Sequence, residues 1–389
     1  IGGAQTISGP VNSEDASTSI SFAGSSIDVG SIGTSGAFRN VYFNFATTLN
    51  GDVVATDSVQ FNDSLALGDG THTITAANSV FGGSVDAAVS GASLTVNGTA
   101  AFSGDVGSSG PLQSLTLNGA ASIYGSTTTA DGQTYNGAVS LIGPDIAYFT
   151  STNSGDITFA DTLDGAQSVI VNTAGVTTFG GAIGQTSPLI SLMTDAGGTT
   201  RIGSTVRTFN LQVFNDAVTL TAPSTMLESV FGGDISFATA LDGASALTDN
   251  TTGATYFGGA VGGTNALMSL TTNAGGSTDI AGGSITTSGL QSYGDTVRLF
   301  GSTTLTGTTG LFQSLDGLSS DLTLNFSGAS SINAPTFTNI RNLTVGDGGT
   351  TTISGTLNTT GTQTYGDALS LSGDTSLNST GAGASGNIM

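Results

Sequence analysis

The sequence predicts an all-β protein, a parallel β-solenoid (β-helix), from three observations. A nine-residue phrase occurs four times, it returns at nearly constant distances, and apolar residues lie in short alternating runs between Gly, Asn, Asp and Ser. Such self-similarity is typical of repeat proteins, in which each unit buries its apolar face against its neighbours. An array of antiparallel β-sandwich domains is the alternative, although a sandwich gives no reason for whole-unit recurrence.

The phrase combines a Gln, an aromatic residue two positions later, two turn-forming residues and a closing Val or Leu. Its copies are Gln133-Thr-Tyr-Asn-Gly-Ala-Val-Ser-Leu141, Gln212-Val-Phe-Asn-Asp-Ala-Val-Thr-Leu220, Gln291-Ser-Tyr-Gly-Asp-Thr-Val-Arg-Leu299 and Gln363-Thr-Tyr-Gly-Asp-Ala-Leu-Ser-Leu371. We expect the aromatic residue of each copy to point inward and the two residues after it to form a tight turn. The aromatic positions are Tyr135, Phe214, Tyr293 and Tyr365, and the turn positions include Gly137, Asp216, Asp295 and Asp367.

The second and third copies belong to a longer repeat. Gly155 to Leu220 matches Gly233 to Leu299, with a single residue inserted near Gly283 of the later copy. Apolar anchors in one unit are roughly 20 residues apart, so we expect about four coils of roughly 20 residues in each ~78-residue unit. Roughly nineteen coils at the ~4.8 Å spacing of parallel strands would form a rod about 90 Å long.

These spacings predict one elongated solenoid over residues 1–389. Its expected parts are divergent N-terminal coils or a cap at 1–76 and repeat units at 77–154, 155–232, 233–311 and 312–389. Glycine interrupts nearly every candidate helix, so we expect almost no α-helix.

A second recurrent element joins a Phe to a glycine-rich corner. It occurs as Phe102-Ser-Gly-Asp-Val, Phe179-Gly-Gly-Ala-Ile and Phe257-Gly-Gly-Ala-Val, and we expect the Phe to belong to the core. In addition, Val80-Phe-Gly-Gly-Ser84 resembles Val230-Phe-Gly-Gly-Asp234 without a full unit around it.

Composition excludes several classes of partner. The formal net charge is −22 and all positive charge comes from five Arg, so no basic patch can follow a phosphate backbone and nucleic acid is not an expected partner. No apolar run approaches the roughly 18 residues of a membrane span. Cys is absent, which removes disulfides and thiol chemistry and favours an exported protein.

No catalytic constellation is visible, and we expect a protein that is not an enzyme. The only histidine, His72, lies in the alternating run Thr71-His-Thr-Ile74, which favours an ordinary strand residue over a general base. Asp is plentiful, and glycosidases need only two carboxylates at a set separation, so a carbohydrate-active β-helix enzyme remains an alternative.

Calcium is the one cofactor that the sequence leaves open. Asp69 in Gly68-Asp-Gly70 and Asp347 in Gly346-Asp-Gly-Gly349 superficially resemble the turns of calcium-binding nonapeptide repeats. The tandem nine-residue spacing of those repeats is never sustained, and turn formation also accounts for the Asp residues. Asp69 and Asp347 are therefore the two candidate metal ligands.

The Gln-Thr-Tyr-x-x-Ala-Val-x-Leu and Phe-Gly-Gly-Ala-Val-Gly phrases, in units rich in Thr, Gly and Asn, resemble the β-strand repeats of large bacterial exoproteins of the filamentous-haemagglutinin-like and autotransporter-passenger type. The resemblance covers about residues 94 to 377. It implies a secreted or surface-bound β-helical fibre used in adhesion, biofilm and matrix formation.

These observations favour an extracellular structural or adhesive fibre of a bacterial surface or matrix, without enzymatic activity. The alternatives are a self-assembling sheath, surface-layer or filament subunit, and a carbohydrate-active β-helix enzyme. The expected partners are a host or neighbouring-cell surface, a matrix polysaccharide or copies of the chain itself.

Overall fold

The chain is a parallel β-solenoid, which confirms the predicted fold class. The structure is a computed structural model that describes residues 4–143, 146–381 and 386–389. About 18 turns of about 21 residues place 57% of the residues in strands, and no α-helix occurs in those described ranges. Residues 1–3, 144–145 and 382–385, which belong to the expected N-terminal segment and to the first and last expected repeat units, lie outside the described residues.

The chain divides into two compact units, Ile1–Thr199 and Thr200–Met389. The strands up to Thr194 are β1 (Gln5–Ile7), β2 (Ile20–Phe22), β3 (Ile27–Val29), β4 (Phe38–Phe43), β5 (Thr47–Leu49), β6 (Val53–Phe61), β7 (Leu65–Leu67), β8 (Thr71–Phe81), β9 (Val85–Ala87), β10 (Ser93–Phe102), β11 (Leu115–Leu117), β12 (Ala121–Ile123), β13 (Thr127–Thr129), β14 (Gln133–Tyr135), β15 (Val139–Leu141), β16 (Ile146–Ser151), β17 (Ile157–Phe159), β18 (Leu163–Asp164), β19 (Ser168–Asn172), β20 (Val176–Phe179) and β21 (Ser191–Thr194).

The elements that follow are β22 (Thr199–Ile202), β23 (Val206–Thr208), β24 (Gln212–Phe214), β25 (Ala217–Leu220), β26 (Ser224–Ser229), β27 (Ile235–Phe237), β28 (Leu241–Asp242), β29 (Ala246–Asn250), β30 (Ala254–Phe257), β31 (Ser269–Thr272), β32 (Ser277–Ile280), β33 (Ser284–Thr286), β34 (Leu290–Leu299), β35 (Thr303–Asp316), β36 (Leu322–Asn333), a 3₁₀ turn (Ala334–Thr336), β37 (Phe337–Thr338), β38 (Leu343–Gly346), β39 (Thr350–Thr359), β40 (Gln363–Tyr365) and β41 (Ala368–Ser379).

Three series of parallel strands form the faces of the coil in the first unit. One series runs through β1, β3, β5, β7 and β9, and another through β2, β4, β6, β8, β10, β12, β15 and β18. The third continues from the first halves of β8 and β10 into β11, β14, β17 and β20. Alternate residues of each strand point inward, so side chains of successive coils meet in columns.

Aromatic rings fill two of these columns in the first unit. Five nearly parallel Phe rings stack with centroid separations of 4.5–5.5 Å, namely Phe22, Phe43, Phe61, Phe81 and Phe102. A second column joins Tyr135, Phe159 and Phe179 at 4.8 and 5.7 Å. The two recurrent elements of the sequence thus meet in one column, because Tyr135 comes from the nine-residue phrase and Phe179 from the Phe-Gly-Gly element.

The second unit contains the equivalent column of Phe214, Phe237 and Phe257, with separations of 5.4 and 5.6 Å. Phe102, Phe179 and Phe257 are at most 1% exposed, which confirms their predicted place in the core. Stacked rings contribute about 0.5–1.5 kcal/mol beyond the burial of their area.

The three phrases of the second unit lie on three different faces. Phe214, Tyr293 and Tyr365 belong to three separate columns. The column of Phe214 includes Phe237 and Phe257. The column of Tyr293 includes Leu227, Asp249 and Thr272, and the column of Tyr365 includes Leu305, Leu324 and Val345. From Phe214 to Tyr293 the chain passes three coils and two of the three faces of a fourth. The sequence repeat of about four coils is therefore slightly shorter than four whole coils. As a result, each of these copies of the phrase lies on a different face of the coil from the copy before it.

One local expectation is wrong. Asp295 lies within β34 and Asp216 lies in a bend, and both side chains are at most 5% exposed. The chain at a solenoid corner turns onto the next face instead of reversing, so the phrase forms no tight turn there. The similarity between Val80-Phe-Gly-Gly-Ser84 and Val230-Phe-Gly-Gly-Asp234 does not extend to the structure, because Phe81 is 1% exposed in a column and Phe231 is 72% exposed in a turn.

Close approach of successive coils explains part of the glycine content. Gly107 has a φ of +72°, and a β-carbon there would lie 2.0 Å from the carbonyl oxygen of Thr128. Gly262 in the second unit has a φ of +66°, and a β-carbon there would lie 2.2 Å from the carbonyl oxygen of Thr286. Only glycine fits where a left-handed residue meets the backbone of the neighbouring coil.

Replacement of Phe179 by Asp should lower the free energy of unfolding by about 3–5 kcal/mol or more, because it removes a stacked ring and buries an unpaired charge. The matched control is Thr178→Asp, which changes the outward residue of the same strand. Thermal unfolding followed by circular dichroism measures both. Equal melting temperatures for Phe179→Asp and the wild type would refute the core column.

Candidate functional site

The repeated phrase builds a hydrogen-bonded corner. The Gln133 side chain is buried, and its Nε2 donates to the carbonyl oxygens of Thr127 at 3.3 Å and Thr150 at 2.8 Å. The Tyr135 hydroxyl donates to Gln133 Oε1 at 2.9 Å. The same arrangement recurs around Gln291 in the second unit. The strongest signal in the sequence is therefore a structural device that satisfies backbone carbonyls at a corner.

The second copy of the phrase lacks one of these bonds. Phe214 replaces the tyrosine, and Oε1 of Gln212 is buried without a hydrogen-bond partner. Nε2 of Gln212 still donates to the Glu228 carbonyl oxygen at 2.9 Å. A buried acceptor without a partner costs about 1–3 kcal/mol, so this corner is less stable than the others.

Short acidic side chains tie successive coils together. Asp164 Oδ1 accepts hydrogen bonds from the backbone N–H groups of Thr186 at 2.9 Å and Ser187 at 3.3 Å, one coil later. Asp242 accepts the equivalent pair in the second unit. Similar inter-coil bonds are made by Asp52, Asp86, Asp105, Asp156 and Asp234. This role accounts for much of the Asp content, because such bonds need a carboxylate held close to the backbone.

The two candidate calcium ligands lie at exposed turns. Asp69 is exposed between β7 and β8, and Asp347 is exposed after β38 with a φ of 118°. Among the residues that the structure describes, no group of three or more His, Cys, Asp or Glu side chains is placed to hold a metal ion. The structure thus does not bring Asp69 or Asp347 together with two further acidic side chains.

His72 is a strand residue, as predicted, and its side chain is buried. It is 1% exposed within β8, with Nε2 3.0 Å from the Gly68 carbonyl oxygen and Nδ1 3.3 Å from that of Gly51. Both ring nitrogens thus face backbone oxygens, and the imidazole has no access to a substrate in solvent.

In the part of the chain that the structure describes, four of the five arginines pair with acids of a neighbouring coil. The pairs are Arg39 with Asp57, Arg207 with Glu228, Arg298 with Asp279 and Arg341 with Asp321. Partly exposed pairs of this kind each contribute about 0–1 kcal/mol. Their position on the outer surface indicates ties between coils.

A row of threonines runs along the outer surface of the first unit. Six residues lie in register on successive coils, and they are called the threonine ladder: Thr73, Thr95, Thr116, Thr134, Thr158 and Thr178. All six are half-buried, and their hydroxyls have no hydrogen-bond partner in the described part of the chain. The ladder therefore presents hydroxyl and methyl groups at the ~4.8 Å spacing of the coils.

An amide row lies beside the threonine ladder. Asn118 Nδ2 donates to Asn97 Oδ1 at 2.7 Å, and Asn136 Nδ2 donates to Asn118 Oδ1 at 2.7 Å. Asn97 Nδ2 donates in turn to the Thr75 hydroxyl at 3.0 Å. These bonds align the amides along a row next to the ladder.

The second unit carries a shorter ladder of the same kind. Its members in register are Thr304, Thr323, Thr344 and Thr364. Neither ladder was predicted, because the number of residues between successive threonines varies from coil to coil. The outward polar position of each alternating strand was the only available signal.

A buried carboxyl pair in the second unit was also missed by the sequence analysis. Asp249 is 0% exposed, and neither of its carboxyl oxygens has a hydrogen-bond partner. Burial raises the pKa of Asp249 to about 8, and the negative charge of Asp295 adds to this effect. Burial also raises the pKa of Asp295, while hydrogen bonds from Thr278 and Thr272 oppose the shift. The aligned repeat gave a signal, because Val171 stands at the place of Asp249.

Replacement of Phe214 by Tyr should raise the free energy of unfolding by about 1 kcal/mol, because the new hydroxyl would donate to Gln212 Oε1. The reverse change, Tyr293→Phe, should lower it by about 1–3 kcal/mol, because it leaves Gln291 Oε1 without a donor. Chemical denaturation of both variants measures the difference. A stability loss in Phe214→Tyr would contradict the proposed role of the hydroxyl.

Replacement of Asp164 by Ala should destabilise the chain by about 1–3 kcal/mol, because two backbone N–H groups lose their acceptor. The control Asp69→Ala, at an exposed turn, should change stability by less than about 0.5 kcal/mol. For each variant, the change in the free energy of unfolding relative to the wild type should be the same in calcium and in chelator. A loss for Asp164→Ala that occurs only in calcium would show that the carboxylate binds metal instead of backbone.

The comparisons leave the surface as the source of functional evidence. In the described ranges of the chain, no helix is long and apolar enough to cross a membrane. No protein-family model, curated protein or solved structure matches the sequence.

Proposed function

We propose that this chain is a structural or adhesive fibre of a bacterial surface or matrix, that it acts outside the cell, and that it is not an enzyme. The observation that carries the proposal is the threonine ladder. Six outward hydroxyls recur on successive coils without partners in the described chain, beside the amide row. The resemblance of the repeated phrases to those of bacterial exoproteins supports an extracellular location.

A polymer with regularly spaced hydroxyls is the partner that suits such a surface. Each hydroxyl can both donate and accept a hydrogen bond, and a net bond contributes only about 0.5–1.5 kcal/mol. Many weak bonds along one row give avidity, because each bond after the first forms at a high effective concentration. A matrix polysaccharide or the glycans of a host or neighbouring cell would provide such repeated groups.

The charge of the chain restricts the partner further. A net charge of −22 with five arginines, four of which pair with acids, repels nucleic acid and strongly acidic polymers at low salt. A neutral polysaccharide avoids this repulsion, since binding would rest on hydroxyl contacts. We therefore expect binding to neutral polysaccharide to depend little on salt concentration.

A second candidate is a self-assembling sheath, surface-layer or filament subunit. It is favoured by an exposed apolar cluster in the second unit, where the Phe209 and Phe231 rings stack 5.2 Å apart and Leu211 and Val230 are exposed beside them. Exposed apolar clusters are typical of contacts between proteins. Filaments or oligomers that grow with concentration, and are lost in Phe231→Ser, would support this candidate.

Binding to immobilised neutral and acidic polysaccharides tests the adhesive function. The triple variant Thr134→Val, Thr158→Val and Thr178→Val keeps the side-chain shape and removes three ladder hydroxyls, so affinity should fall about tenfold or more. The matched control changes three outward threonines of other strands, Thr48→Val, Thr128→Val and Thr150→Val.

Equal loss in the control would contradict the ladder as the binding surface. Release of soluble sugar from any polysaccharide of the panel would contradict the non-enzymatic function and support the carbohydrate-active alternative. Binding to none of the polysaccharides would contradict the adhesive function towards matrix polymers.

A further inference from the structure

Asp249 lies in the core, and no side chain or backbone group in the described part of the chain forms a hydrogen bond with its carboxyl group. It points inward from β29, between Leu227 of the preceding coil and Thr272 of the following coil. Its side chain is 0% exposed, and both oxygens lack a hydrogen-bond partner. An unpaired polar group at such a place costs several kcal/mol, because water no longer solvates it.

Asp295 brings a second carboxyl group to the same region. The Thr272 hydroxyl, one coil after Asp249, donates to Asp295 Oδ1 at 3.2 Å. The Thr278 hydroxyl donates to the same oxygen at 2.7 Å and lies 2.9 Å from the Thr272 hydroxyl. Asp295 and the two threonine hydroxyls therefore form one hydrogen-bonded group, and Thr272 connects this group to the column that contains Asp249.

No cationic side chain in the described part of the chain neutralises this pair. The nearest arginine in sequence, Arg298, is bonded to Asp279 on the outer face, with its Nε 2.6 Å from Asp279 Oδ1. The charge of Asp279 adds to the effects that raise the pKa of Asp295. The acidic groups near the pair thus favour its protonated form when no cation is bound, and a bound cation would favour the ionised form.

The preceding repeat shows that packing does not require a carboxyl group here. Val171 occupies the place of Asp249 in that repeat, and it is 0% exposed. An apolar side chain therefore fills this position in an otherwise similar unit. A carboxyl group that costs stability and is not needed for packing indicates a ligand.

We propose that Asp249, Asp295, Thr272 and Thr278 form an internal site for a hard cation, with calcium as the ion of best fit. All the available ligand atoms are oxygens, and carboxylate and hydroxyl oxygens bind hard cations rather than soft metals. The ion would offset both carboxylates and supply the partner that the Asp249 oxygens lack. Its ligands come from β29, β31, β32 and β34, so it would tie several coils of the second unit together.

This site differs from the two calcium candidates of the sequence analysis. Asp69 and Asp347 are exposed, whereas Asp249 and Asp295 are buried. The inference is also independent of the adhesive function, because the ladder and the carboxyl pair share no residue.

Refolding with and without calcium tests the site. The full chain is unfolded in denaturant and refolded in calcium or in chelator, so that a buried site can load during folding. Wild type refolded in calcium should retain about one calcium ion per chain after exhaustive dialysis, measured by atomic emission, and it should melt at least about 2 °C higher than wild type refolded in chelator. Terbium in place of calcium should emit on excitation of tyrosine, since Tyr293 follows Thr272 in the column.

Asp249→Val introduces the residue of the preceding repeat and should melt higher than the wild type in chelator while losing the response to calcium. Asp249→Asn should also lose the rise in melting temperature with calcium. This second variant covers the case in which valine disturbs folding.

The control Asp69→Asn with Asp347→Asn should bind calcium as the wild type does. Equal melting temperatures of the wild type in calcium and chelator, or loss of binding in the control pair, would overturn the proposal. A response to magnesium or sodium without a response to calcium would overturn the assignment to calcium.

Discussion

The parallel register between successive coils is the constraint on which the rest of the structure depends. Within each unit, the inward residues of paired strands rest on the residues about one coil earlier in the chain. A ring therefore stacks on a ring, a carboxylate meets the backbone N–H groups of the next coil, and a buried amide reaches carbonyls of two coils. The same register places outward threonines in a row, so the core and the proposed binding surface have one cause.

The fold class could be predicted from the sequence because it depends on features that recur locally. Alternating strands, turn residues and the four phrases identify a solenoid without knowledge of which residues meet. The columns could not be predicted, because the corners vary in length. Phe43 stacks on Phe61, whereas the chain between the stacked rings of Tyr135 and Phe159 is several residues longer. A fixed period therefore fails to identify contacts, although it gives the average coil.

The candidate sites were predicted less well, because a residue type alone does not show what it contacts. The sequence suggested calcium at exposed Asp-Gly turns, whereas much of the Asp content bonds to the backbone of the next coil. The buried carboxyl pair was invisible to motif analysis, since Asp249 lies in no metal-binding pattern. Its only signal was an acidic residue at a position where the aligned repeat has Val171. Replacements of this kind between internal repeats are informative, because the copies share the same local packing.

Distances between spin labels along the threonine ladder test the register most directly. The chain has no Cys, so pairs of introduced cysteines carry the labels specifically. With one label at Thr73 and the other at Thr116, Thr134, Thr158 or Thr178, the separation should grow by about 4.8 Å per coil, to about 24 Å for the last pair. A linear increase would establish that coils stack in parallel register. Distances that do not rise with coil number, as in an array of antiparallel sandwiches, would contradict it.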